Sequence, residues 1–247
     1  MLMGVQGDHP PAGSRAEPWS LKKETHMSYQ IVVCGGIVPD PLQTLEPMQG
    51  PAGPALKNEM MLPAVLDPWA WHSLFEAAHL AQANPGSQVT LVSLSPKAKL
   101  QQVMMSVAQK VPFSLTVADS PANGFADSYE TAKVLAETIE TLPGLDKSNL
   151  FVFGGWQSAS RGSGSTLQML GERLGIVNQF QGVDVLEKNG DGSFTIKERI
   201  EGGGYLVSSL SAPPAVLGWA TGNLPEPPNN PQVGMQNMQK VMPAIQQ

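Results

Sequence analysis

From Met27 onward, short apolar runs alternate with longer stretches in which apolar and polar residues mix at helical spacing. "YQIVVC" (29–34), "SQVTLVSL" (87–94), "FSLTVA" (113–118) and "NLFVFGG" (149–155) have the length and β-branched or aromatic content of buried strands. The intervening patterns predict helices over 67–82, 96–110 and 127–142. Asp67 stands where an N-cap belongs, Pro68 fits the first turn behind it, and Ser128 opens the third helix with an acidic residue soon after. Strands apolar on both faces and separated by helices predict an α/β fold, a mostly parallel sheet flanked by helices.

The pattern changes elsewhere. Residues 35–66 are rich in Pro and Gly and too long for a plain loop, and a small hairpin is expected around "GPAG". A helix starts near Thr166. Beyond it, "GVDVLEK", "SFTIKERI" and "YLVSSL" alternate around the turns "NGDG" and "EGGG", which predicts an added antiparallel hairpin segment. "PPAVLGWA" gives one more strand, followed by a proline-broken tail. The expected division is a disordered leader over 1–26, a nucleotide-binding α/β domain over 27–227 and a partner-contacting tail over 228–247, with translation starting at Met1 or Met27.

Composition narrows the function. Charged residues make up 15% of the chain and the net charge is -6, which argues against a broad basic face for nucleic acid. A single cysteine, Cys34, excludes an internal disulfide framework and multi-cysteine metal sites, and it fits a reducing compartment. No apolar stretch is long enough to cross a bilayer, so no direct membrane insertion is expected.

"GGWQSASRGSGST" (154–166) holds the most suggestive chemistry. It follows a strand and precedes a helix, the place where parallel sheets bind ligands and where free helix N–H groups meet anions. Gly162 and Gly164 permit close backbone approach, while Ser163, Ser165 and Thr166 offer hydroxyls and Arg161 one positive charge. No lysine completes a Walker loop, and the dinucleotide glycine spacing is absent. Phosphate binding and a solvated turn whose hydroxyls cap the next helix stand about level on these residues. A serine nucleophile lacks the nucleophile-elbow pattern and a partner histidine. His9 and His26 fall in the leader; His72 and His79 are seven residues apart on one helix, too far for joint metal ligation. Asp184, Glu187 and Asp191 lack the ligand positions of a calcium loop and read as a hairpin turn, so no metal site is expected. Trp69 could cover a ring-shaped ligand, whereas Trp71 reads as core and Cys34 as a small buried hydrophobe.

Several stretches, taken in order, resemble the beta subunit of electron transfer flavoprotein. "IVVCGGIVPD" looks like the first strand and loop of that family, and "DPWAWHSLFEAAHLAQ" is similar to its Asn-Pro-aromatic helix through Pro68, Trp69, Glu76 and Ala77. "VTLVSLSP" resembles the next strand and ends in the same proline, Pro96. "FGGWQSASRGSGSTLQM" shares Gly155, Gln157, Thr166, Gln168 and Met169 with a family run; "IEGGGYLVSSL" is like its recognition hairpin, and "PAVLGWATGNLPEP" like its last strand and turn. Small residues and Arg161 replace the family's acidic loop residues, and Gly35 and Gly36 stand in place of a basic one. The sequence given ends at "MQNMQKVMPAIQQ" where many members continue into an arm, so a divergent, C-terminally short member is expected.

The resemblance implies a Rossmann-like fold and an electron carrier without substrate chemistry of its own. It implies a heterodimer with an alpha subunit that carries FAD. The donor would be a flavin-dependent dehydrogenase and the acceptor a quinone-reducing oxidoreductase; the location would be the bacterial cytoplasm, or the mitochondrial matrix in a eukaryote. AMP, or a second FAD in bifurcating members, would lie against Cys34, Asp67, Pro68, Trp69, Ala70, Leu94, Gly155, Gln157, Arg161, Gly162, Ser163, Gly164, Ser165 and Thr166. Pro41 and Trp69 would approach the alpha-subunit flavin, and Gly203, Gly204, Tyr205 and Leu206 would recognise the dehydrogenase. Outside this family, a homodimeric ATP- or AMP-binding sensor of the universal-stress type shares the sheet and a Gly/Ser loop. A serine hydrolase built on Ser163 or Ser165 is the remaining reading.

Overall fold

A computed structural model describes residues 27–51, 53–118 and 127–246. The leader expected over 1–26 lies outside them. In chain order the strands are β1 (Gln30–Cys34), β2 (Ile37–Pro39), β3 (Pro47–Gly50), β4 (Gly53–Leu56) and β5 (Ala64–Leu66) before helix α1 (Pro68–Ala83). Then come β6 (Gln88–Ser93), α2 (Lys97–Val107), β7 (Ser114–Val117), α3 (Ser128–Glu140), β8 (Leu150–Gly155) and α4 (Thr166–Leu174). The chain continues through β9 (Gln179–Lys188), β10 (Phe194–Arg199), β11 (Tyr205–Leu210) and β12 (Ala215–Trp219) to α5 (Pro231–Gln246).

Eight strands form the central sheet in the order β11-β10-β9-β12-β8-β1-β6-β7. The run from β9 through β12, β8, β1 and β6 to β7 is parallel, and β10 and β11 add an antiparallel edge. This is the α/β architecture that the hydrophobic pattern predicts. Along β1 the side chains alternate between two cores. Ile31 and Val33, with Phe151 and Phe153 of β8, pack under α1, α2 and α5; Val32 and Cys34, with Val152, pack under α3 and α4. Tyr29, Phe151 and Phe194 meet edge to face with centroids 5.3–5.8 Å apart, which fastens the antiparallel edge to the parallel half.

Asp67 caps α1 as expected, accepting from Trp69 N at 3.1 Å. The cap of α3 is Asp127 rather than Ser128, because the Asp127 carboxylate reaches Tyr129 N at 2.6 Å. The hairpin near "GPAG" forms as β3 and β4, while β2 and β5 pair separately. β9 begins earlier than the alternation suggests, since its first residues pair in parallel with β12 before the rest pairs with β10. Pro231–Gln246, within the tail expected over 228–247, forms a helix that packs on this chain's own core through Val241 and Ile245. Among the described residues no helix is long and apolar enough to cross a membrane.

Candidate functional site: a cleft at the carboxyl ends of β1 and β8

Strand order turns back on itself at β1, whose neighbours β6 and β8 are reached by connections on opposite sides. The carboxyl ends of adjacent strands separate there and leave a crevice. A cleft of about 680 Å³ occupies it, within the range of small-molecule and cofactor sites. Cys34, Asp67, Ala70, Leu94, Gly155, Gln157, Arg161, Ser163, Gly164 and Thr166 line it, drawn from four segments distant in sequence. Pro68, Trp69, Gly162 and Ser165 belong to the same segments but do not line the cleft. Pro41 sits exposed in the turn after β2, and Gly203, Gly204, Tyr205 and Leu206 lie at the β10–β11 hairpin, outside the lining.

The 155–166 loop is built rather than slack. Gly155 is a glycine for steric reasons, since a Cβ there would come 2.5 Å from Trp69 Cβ and 2.6 Å from Gln157 O. Gly162 and Gly164 hold φ of 64° and 66°, a region that side-chain-bearing residues avoid. Asp67 Oδ2 accepts from Ala159 N at 2.8 Å while its Oδ1 caps α1, so one carboxylate joins the loop to the first helix. Burial pushes the Asp67 pKa up, against the backbone N–H groups that favour its charged form. Ser158 O and Oγ accept from Gly162 N at 2.9 Å and Arg161 N at 3.2 Å.

The helix-capping alternative does not describe this junction. Ser165 occupies the N-cap of α4 without a side-chain cap bond, and Thr166 faces the cleft. The first N–H groups of α4 therefore lack a cap and carry the positive end of the helix dipole. Ser163 Oγ lies 3.1 Å from Ser128 Oγ. Neither His72 nor His79 lines the cleft; His79 Nε2 instead meets Pro225 O at 2.9 Å. No cluster of potential metal ligands occurs among the described residues. Burial raises the Cys34 thiol to about 12, which makes it an inert wall residue.

Several lining residues escape sequence reasoning. Ser95, Lys99, Asp127 and Glu130 also face the cleft, and Ser158 and Ser160 join them from within the 154–166 stretch that the sequence already marks. A strand-to-helix junction after β6 is a signal that could have pointed to Ser95 and Lys99, as it did to the 155–166 loop. Lys99 Nζ meets Glu59 Oε1 at 3.4 Å, so its charge is already partnered. Asp127 and Glu130 come to the cleft only because α3 packs beside α4, and no local motif marks them.

A mostly parallel sheet with its crevice at the switch point, bordered by glycines and an uncapped helix N-terminus, defines the class of open α/β folds whose ligand sites lie at the carboxyl ends of the strands. Within that class the chain belongs to the electron transfer flavoprotein family: residues 58–244 match the family described as Electron transfer flavoprotein domain. Proteins of this family carry electrons and work together with other subunits and redox partners. No match to an individual curated protein was found.

Proposed function

We propose that this chain is the beta-type subunit of a heterodimeric electron transfer flavoprotein, with AMP as a structural nucleotide in the cleft. The uncapped N-terminus of α4, set behind a loop with two left-handed glycines, carries this reading. Thr166 and the adjacent backbone N–H groups would hold the phosphate, Arg161 would add a positive charge, and Asp67 and Ala70 would form the wall beneath the nucleoside. Static binding requires donors but no group to stabilise a transferring phosphoryl, in keeping with a loop whose only cation is Arg161. FAD on the partner alpha subunit supplies the redox chemistry. Exposed Leu42, Met48 and Met61, in the segment that carries Pro41, suit a partner surface of that kind. The half-exposed Tyr205 and Leu206 suit a small transient contact with a dehydrogenase.

Acid extraction of the purified heterodimer followed by mass analysis should release AMP; absence of any adenine nucleotide would overturn the assignment. One flavin per heterodimer is expected, and two would favour the reading in which a second FAD fills the cleft.

A further inference from the structure

We infer that Gln181 is the positioning residue of the cleft loop. Its side-chain amide donates from Nε2 to Trp156 O at 2.5 Å and to Gly164 O at 2.9 Å. These carbonyls stand at opposite ends of the loop, so one amide sets the distance across its mouth. Gly164 immediately precedes the α4 N-cap, so the same bond fixes where the loop delivers its backbone to the helix N-terminus.

The surrounding strands are shaped to place that side chain. The β9–β12 ladder shifts register at Gly218/Trp219, where Gly182 adopts a φ of 74°. A Cβ at residue 218 would overlap Gln181 Oε1 and come within 3.3 Å of Trp156 Cα. The main chain of Gln181 is held in turn: its N–H donates to Glu198 Oε1 at 2.8 Å, and Glu198 Oε2 accepts from Ser208 Oγ at 3.4 Å. Gln181 thus acts from β9 on a loop after β8, through hydrogen bonds that no local motif predicts.

The test compares Gln181→Glu, which keeps the shape but loses the donors, with Gln181→Lys, which returns N–H donors at similar reach, and with Gly218→Ala, which displaces Gln181 from outside. Amide exchange in peptides spanning 156–164 should quicken at least tenfold in the Glu and Ala variants, stay near wild type in the Lys variant, and remain unchanged in β1 for all three. AMP titration of the purified chain should show Kd rising about tenfold in the same two variants. Unchanged loop exchange in Gln181→Glu and Gly218→Ala, or equal loosening in Gln181→Lys, overturns the proposal. The titration arm rests on the proposed nucleotide site and the exchange arm does not. Failure of wild type to bind AMP would therefore count against the nucleotide reading and leave the exchange comparison to decide the role of Gln181.

Discussion

Single atoms decide the cleft's geometry. At Gly155 an added methyl would meet both the Trp69 side chain and the Gln157 backbone, and neither is the far end of a flexible group. Gly155→Ala should cost about 1–3 kcal/mol of stability, measured by urea unfolding, because one of two backbone segments must move. Asp184 governs a different spot. Burial opposes its charge, but the Arg199 guanidinium at 2.9 and 3.0 Å and the Thr221 N–H and hydroxyl outweigh burial and hold its carboxyl below the usual carboxylate range. A depressed folded pKa means that Asp184 stabilises the fold above the ordinary carboxylate value and loses that contribution as pH falls through the folded value. Asp184→Asn should therefore lower stability near neutral pH by about 2 kcal/mol and flatten the acid limb of the stability–pH curve. An unaltered acid limb in thermal melts from pH 6 to pH 2 would contradict this account.

Among the elements, α5 is where local signals and packing diverge most. Pro243 and the polar run before it weaken the helical pattern, yet Val241 and Ile245 are buried and Asn237 is 2% exposed. Asn237 Nδ2 donates to Ala108 O at 2.8 Å and Val111 O at 2.5 Å, while its Oδ1 accepts from Phe113 N at 3.3 Å. The carbonyls freed where α2 ends thus find their donor on a helix more than a hundred residues later. Asn237→Ala would leave three buried backbone groups unpaired, and a loss of about 2–3 kcal/mol in chemical denaturation is expected. The β10–β11 hairpin shows the same dependence on distant partners. Tyr205 OH donates to Asp184 Oδ2 at 3.2 Å, which orients the ring at the start of a strand whose first three residues are exposed.

At the scale of the molecule, the sheet places two kinds of surface at its margins. The cleft opens where strand order turns back at β1, and apolar side chains project from the segment between β2 and β5. Leu42 is 91% exposed and Met61 83% exposed. If this surface meets the alpha subunit, Leu42→Glu combined with Met61→Glu should weaken heterodimer formation at least tenfold in analytical ultracentrifugation. The melting temperature of the isolated chain should stay unchanged, since exposed substitutions seldom alter stability by more than about 0.5 kcal/mol. Equal association constants for variant and wild type would remove this surface from the interface.

The sequence by itself determined the parallel core, because β1, β6 and β8 are apolar on both faces and only a helix-covered sheet can bury them. It also determined the Asp67 cap, the β10–β11 hairpin and the glycine loop after β8, each a short-range signal with a local physical cause. Tertiary structure alone decided the rest. Whether Ser165 caps α4, which Asp or Ser caps α3, and what α5 covers depend on groups that compete across space. Asp67 is legible as a cap, but its second oxygen is committed to Ala159 only once α1 lies beside the loop. Gln181 carries no local mark at all: its amide reaches Trp156 and Gly164 across the space left by Gly218, its partner in the neighbouring strand. Hydrophobic periodicity is written along the chain, whereas hydrogen bonds between distant segments exist only after the sheet has set the order of its strands.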